Sequence, residues 1–214
     1  MRLTCALVSL FAVAGQTQTL PPPFPRTNAV KLLDNDRAQV WNVAWPKGQA
    51  TALHRHIYDV TGVYTAPGDR EITALDGSKR QVSTAAGGIV WQFKGLTHVE
   101  EGTSEKPLRA VMIELKGDGP SGKTVKPAGA PAFSGSSKPL LDNERVTVWD
   151  YTKPVEDGLK AVPYQQAGPH SHPMDTFVVW TEGTAGHAAF MPAGTVHTSE
   201  PIGTATKATI FELK

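Results

Sequence analysis

The chain has 214 residues, 40% hydrophobic and 19% charged, which is enough to bury a real core and too apolar for disorder throughout. Its formal net charge is +1 with no basic stripe, so there is no electrostatic footprint for nucleic acid or an anionic membrane. Twenty glycines and 17 prolines favour many short strands joined by turns over long helices.

Residues 1–18 read as an export signal. Met1-Arg2 gives a positive start, Leu3 to Ala14 an apolar run, and Ala12-Val13-Ala14 a small-residue cleavage pattern. The run is shorter than the about 20 apolar residues a bilayer span needs. The expectation is a secreted or periplasmic protein with no membrane association once the signal is removed. The only cysteine, Cys5, lies in this segment, so the mature chain has no disulfide and no thiolate chemistry. Removing Arg2 leaves 21 − 1 = 20 basic residues against 20 acidic ones, a charge near zero.

Pro21-Pro22-Pro23 to Pro25 predicts a stiff, extended lead-in. Arg37 to Trp45 is strand-like, with Val40, Trp41 and Val43 among β-favouring neighbours. Asp76-Gly77, set between Ile72-Thr73-Ala74-Leu75 and Gln81-Val82, predicts a hairpin with a two-residue turn. Gly88 to Phe93 and Thr176 to Trp180 are further strands. No stretch has a long helical period, so the fold class is all-β, with two barrels or sandwiches.

Two barrels follow from an internal repeat. Lys31-Leu32-Leu33-Asp34-Asn35-Asp36-Arg37 is echoed by Pro139-Leu140-Leu141-Asp142-Asn143-Glu144-Arg145, and Val40-Trp41 by Val148-Trp149. His54-Arg55-His56 is echoed by His170-Ser171-His172, and each copy has a later histidine, His98 or His197. Each closes on a matching strand, Arg109 to Lys116 and Lys207 to Lys214. The expected domains are 28–116 and 138–214, joined by a Gly/Pro/Ser-rich linker over 117–137.

Side chains at i and i+2 share a strand face, so His54 and His56 aim together, as do His170 and His172. If that face is the barrel interior, His98 or His197 completes a three-nitrogen site. Neutral imidazoles suit divalent transition metals, and three of them leave coordination positions open. These six are candidate metal ligands; His187 is left over and reads as structural or exposed. Trp41 and Trp149 read as core. Gln92 could face the cavity, and Glu100 has the strand parity to face it with His98, so both are candidate polar groups at the catalytic site. Glu200, after the last histidine, reads as a solvated turn residue.

These residues resemble the cupin superfamily, specifically a bicupin. Gly48, His54 and His56 fit the opening of its first motif, G-x5-H-x-H-x3-4-E-x6-G; His170, His172 and Gly183 fit it in the second copy, where Tyr164 replaces the opening glycine. Gly186, Pro192, Gly194 and His197 match the second motif, G-x5-P-x-G-x2-H, and Gly87, Gly95 and His98 match it in the first copy, with Phe93 in the proline slot. The asparagine slots that follow hold Gly102 and Pro201. The resemblance implies two tandem cupin-type double-stranded β-helix (jelly-roll) barrels holding iron, manganese, nickel or zinc.

Two departures matter. The motif glutamate is missing: Val60 and Thr176 stand in its slot, with Asp59 and Asp175 one residue earlier. Parity sends those aspartates to the opposite face unless a bulge re-aims them, so three-histidine sites are expected, with the aspartates as turn-capping or ring-orienting groups or, as the minor alternative, fourth ligands. The second departure is length. The second copy lacks a counterpart of the Thr65 to Ser83 region, so its barrel is expected to be truncated and the first copy's pocket more enclosed; the insertion from Pro154 to Ala161 is expected to pack over the gap.

The function expected from the resemblance is an exported small-molecule metalloenzyme, a metal-dependent oxidoreductase of dioxygenase type. The alternatives are a non-catalytic cupin binding a sugar or organic acid, a sugar isomerase or lyase, or a structural bicupin. The partner is a small molecule. A homodimer through sheet edges is compatible with the resemblance, although the tandem repeat can supply that pairing internally.

Overall fold

A computed structural model describes residues 19–119, 124–126, 138–150, 169–180, 186–197 and 207–214. The export signal, most of the linker, the 154–161 insertion, Tyr164, Gly183 and Glu200 lie outside the described residues.

The described chain is all β. Nine strands precede the linker: β1 (Ala29–Asp34), β2 (Ala38–Trp45), β3 (His54–Arg55), β4 (Asp59–Ala66), β5 (Gly68–Ala74), β6 (Lys79–Thr84), β7 (Ile89–Gln92), β8 (Thr97–Gly102) and β9 (Leu108–Leu115). Five follow it: β10 (Leu141–Asp142), β11 (Val146–Asp150), β12 (Asp175–Trp180), β13 (Ala188–Met191) and β14 (Ala208–Leu213). They form three antiparallel sheets, ordered β1-β2-β9-β4-β7, β3-β8-β5-β6 and β10-β11-β14-β12-β13. The first and third share one order: β1, β2, β9, β4 and β7 correspond to β10, β11, β14, β12 and β13. Among the described residues no helix is long and apolar enough to cross a membrane.

The repeated sequence markers build repeated turns. Asn35 Oδ1 accepts from the backbone N–H groups of Arg37 and Ala38, at 2.8 and 2.9 Å, and Asn143 Oδ1 does the same for Arg145 and Val146, at 2.8 and 3.0 Å. An Asx turn therefore joins the first two strands of each repeat. The closing lysines fasten it: Lys116 Nζ reaches Asp34 and the Asn35 carbonyl, and Lys214 Nζ reaches Asp142 and the Asn143 carbonyl.

Alternation along the strands gives each five-stranded sheet two apolar faces. One face of each meets the other in a shared core of Ala38, Val40, Val63, Val111, Ile113 and Leu115 against Val146, Val148, Phe177, Val179, Phe211 and Leu213. The other face of the first sheet lines barrel one with Trp41, Val43, Trp45, Val60, Tyr64, Val90, Leu108, Ala110 and Met112. In barrel two the corresponding lining is Val178, Trp180, Met191, Ala208 and Ile210.

Two expectations are refined. The proline-rich lead-in is part of the wall of barrel one: Arg55 N–H donates to the Pro21 carbonyl at 2.9 Å, Ala44 N–H to the Asn28 carbonyl at 2.8 Å, and Phe24 stacks on Trp41 at 5.1 Å. The Asp76-Gly77 hairpin forms, but its loop has one residue more than a two-residue turn. Gly77 N–H closes on the Ala74 carbonyl, Ala74 N–H pairs with the Ser78 carbonyl, and Gly77 takes φ +83°, the type I turn with a glycine bulge.

The hairpin missing from the second repeat shows in the register. In repeat one, β4 pairs with β7 from Val60↔Gln92 to Val63↔Ile89, with the β5–β6 hairpin inserted between them. In repeat two, β12 pairs in the same way with β13, from Thr176↔Met191 to Val179↔Ala188, and only residues 181–187 intervene.

Candidate metal centres

In barrel one, β3 and β8 pair His54 directly with His98. His56, one turn of the pleat beyond His54, is held by a tight turn from β7 to β8. Gly95 N–H donates to the His56 carbonyl at 2.7 Å and His56 N–H to the Leu96 carbonyl at 2.9 Å. Gly95 sits at φ +90°, a conformation that disfavours a side chain, which gives the motif glycine its reason. Barrel two repeats the device: Gly194, at φ +78°, donates to the His172 carbonyl at 2.9 Å, and His170 and His197 exchange both backbone hydrogen bonds at 2.9 Å.

One nitrogen from each of His54, His56 and His98 lies within 4.8 Å of the others, and the same holds for His170, His172 and His197. The structure thus brings the six predicted histidines into two triads that could each hold a metal ion. The first triad is fully buried, whereas His197 of the second is half-exposed.

The donor chemistry of barrel one suits a cation. Burial pushes His54 below its ordinary value, against the opposing hydrogen bond to the Ala52 carbonyl. Burial, helped by His98 and His54, lowers His56 to about 4, and burial lowers His98 to about 4 despite Glu100. The imidazoles are therefore neutral at pH 7, the form that ligates. The 2.9 Å contact of His54 Nδ1 with the Ala52 carbonyl fixes a proton on Nδ1 and frees Nε2. His56 Nε2 and His98 Nε2 face each other at 3.3 Å, and His56 Nδ1 is buried with no hydrogen-bond partner. Two lone-pair nitrogens in contact are favourable only with a proton or a cation between them.

Glu100 lies beneath this triad, two residues along β8 from His98 on the inward face, as its parity predicts. Its carboxylate accepts from Trp45 Nε1 at 2.9 Å and lies 3.4 Å from Arg70 Nη1. Burial pushes the Glu100 carboxyl up, but Arg70, His98 and the Trp45 N–H together hold it below its ordinary value. Gln92 is half-buried on β7, directly across from Val60. The missing motif glutamate leaves an inward slot filled by buried Val60 in one barrel and buried Thr176 in the other.

Asp59 and Asp175 are not fourth ligands. No bulge re-aims them, and parity turns them out of the barrels. Asp59 Oδ1 caps the metal-site turn by accepting from Lys94 N–H at 2.9 Å, and Oδ2 pairs with Arg145 of the other repeat at 3.1 Å. Asp175 does the same, from Ala193 N–H at 3.0 Å and with Arg37 at 3.4 Å. Trp41 is core, as expected; its Nε1 donates to Glu114 at 2.9 Å, and Trp149 Nε1 donates to Glu212 at 2.8 Å. His187, the unassigned histidine, packs edge-on against Trp180 at 6.5 Å.

Arg70, Glu114 and Glu212 were not singled out in the sequence. The two glutamates carried a signal, the Glu-Leu-Lys shared by both closing strands inside apolar runs. Arg70 carried none, because the hairpin that bears it has no echo in repeat two.

A paired-sheet barrel in repeat one, the same five-strand order in repeat two, and an H-x-H pair with a third histidine after a glycine turn in both decide the architecture. The fold is a cupin fold. The sequence matches no protein-family model and no curated protein. Among solved cupin structures, a cupin 2 conserved barrel domain protein from Leptotrichia buccalis is 15% identical over 87% of this chain and 88% of its own, with a TM-score of 0.48. A cupin domain from Bordetella pertussis Tohama I is 25% identical over 44% of this chain and 99% of its own, with a TM-score of 0.39. The DMSP lyase DddQ from Ruegeria pomeroyi DSS-3 is 23% identical over 39% of this chain and 40% of its own, with a TM-score of 0.31.

Proposed function

We propose that this bicupin is an exported small-molecule metalloenzyme of dioxygenase type, with its reaction centre in barrel one. The observation that carries the reading is the buried, carboxylate-free triad of His54, His56 and His98. A divalent ion there, iron, manganese, nickel or zinc, would supply Lewis acidity and open positions for a chelating substrate and dioxygen. The chain's own contribution is to hold three neutral nitrogens in place, exclude bulk water by burial, and present Glu100 below the triad and Gln92 on the facing sheet. Glu100 is fixed by Trp45 and Arg70, so its role is charge placement; Gln92 offers an amide to orient a bound molecule.

The test is elemental analysis of protein recovered from the exported fraction, followed by oxygen uptake with diketones, aromatic diols and thiols. The expected result is up to two metal ions per chain, falling by one in His98→Ala, with oxygen consumed by one substrate class. Metal bound without turnover on any of them would instead leave a metal-dependent binding module for a sugar or organic acid.

A further inference from the structure

Below the triad of barrel one, the inward face of the smaller sheet is layered by register: Ala74 beside His98, Ile72 beside Glu100, Arg70 beside Gly102. Arg70 and Glu100 are 5% and 6% exposed. A second guanidinium enters from the lead-in. Arg26 lies 5.2 Å from the centre of the Trp45 ring and Arg70 lies 5.1 Å from it, so two cations share one indole. Arg26 and Arg70 repel each other, and both are drawn to Glu100. Arg70 approaches Glu100 at 3.4 Å, and Arg26 shares the Trp45 ring with Arg70, so two guanidiniums flank one carboxylate.

The donors confirm the shortfall. Arg70 Nη2 is taken by the Tyr64 hydroxyl, but Arg70 Nε is buried with no hydrogen-bond partner, and Nη1 has only the 3.4 Å approach to Glu100 Oε1, which itself accepts no hydrogen bond. Arg26 is half-buried; its Nη1 donates to the Thr27 and Ala44 carbonyls, and its Nη2 atom is buried with no hydrogen-bond partner. Holding an uncompensated guanidinium out of water is costly, and a negative charge nearby relieves that cost. A metal cation above would deepen the same imbalance.

We propose that the centre of barrel one selects a small carboxylate-bearing anion as its ligand, with Arg70 and Arg26 supplying the balancing charge from beneath. The inference rests on the metal-site reading above for where the anion docks, namely the open coordination positions. It does not need the anion to touch either arginine, because charges act over several ångströms in a low-dielectric interior. The selectivity is assigned to barrel one, because among the described residues the β5–β6 hairpin that carries Arg70 has no counterpart between β12 and β13.

The test uses the full chain in two states. With Co(II) bound, the visible band is titrated with acetate and succinate against acetamide and succinamide. With metal removed, melting is followed with the same four compounds. The expected result is at least tenfold tighter binding of the carboxylates, lost in Arg70→Met, reduced in Arg26→Met and mostly kept in Arg70→Lys. Amides that match the carboxylates, or a preference unchanged in both methionine variants, would overturn the proposal. Should Arg70→Met fail to fold, Arg26→Met carries the comparison, since it leaves the Tyr64 and Trp45 bonds intact. Elemental analysis separates the two readings. If no metal is held, the metalloenzyme reading falls, and the anion site is then judged on the metal-free chain: a carboxylate-specific rise in melting temperature lost without Arg70 upholds it, and no rise overturns it.

Discussion

Glu114 shows how one buried side chain couples sequence to pH. It is 2% exposed on β9, one of its oxygens is bound by Trp41 Nε1, and burial pushes its carboxyl from 4.5 up to about 7 despite that bond. The folded protein therefore holds a proton there that the unfolded chain releases above about 4.5. The stabilisation is complete below that pH and is lost as pH rises through 7. Glu114→Gln keeps an acceptor for the indole and removes the ionisation. It should melt higher than the parent at pH 8, by roughly 1–3 kcal/mol of stability, and almost level with it at pH 5. Equal melting at pH 8 would mean that the carboxylate ionises without cost. Glu212, raised by burial against Trp149, should behave in the same direction. The histidines were readable at this scale because period-two spacing fixes which face they share. The two glutamates were harder to read: their only signal is the Glu-Leu-Lys that both closing strands share, and an acid within an apolar run does not by itself declare burial.

Among the elements, β8 carries most of the candidate site in barrel one, since it presents His98 and Glu100 inward and ends at Gly102. A Cβ on Gly102 would lie 2.2 Å from the Trp45 carbonyl oxygen, which no side-chain movement relieves. Gly102→Ala must push β8 away from residues 45–46. The expected cost is above about 2 kcal/mol, with metal lost from barrel one. Gly48→Ala is the contrasting control: Gly48 has φ +70° but nothing within 4 Å of its Cβ, so only the backbone strain of about 1 kcal/mol applies. Comparable melting and metal content in the two would show that the close approach does not matter. Strand positions, the repeat and the truncation were legible from alternation, echoed motifs and unequal spacing. The lead-in was not: polyproline stiffness gives no hint that Phe24 docks on Trp41, because that contact is made only in the folded barrel. The third residue of the β5–β6 loop was missed for a related reason, since Asp-Gly serves both turn types.

Across the whole molecule the two repeats face each other as the halves of a symmetric dimer do. Arg37 reaches Asp175 and Arg145 reaches Asp59, a reciprocal exchange between equivalent positions. The pair on Arg145 is the stronger, because that guanidinium also donates to the Leu115, Lys116 and Gly117 carbonyls. Arg145→Met should cost about 2 kcal/mol and Arg37→Met less, read as the drop in melting temperature of each variant. Between these pairs lies one apolar layer, and its side chains differ at equivalent positions: Thr61 stands where the other repeat has Phe177, and Val111 where it has Thr209, all buried. Neither sheet can keep that face covered without the other, so neither repeat has an independent core on that side. The protein should therefore unfold in a single cooperative transition, with equal calorimetric and van't Hoff enthalpies, even though its sequence is two copies. A cavity in either half, Ile113→Ala or Phe211→Ala, should lower that one transition by several kcal/mol rather than split it. Two resolved calorimetric peaks, only one of them moved by each substitution, would show that the repeats are separate domains in contact rather than one folding unit.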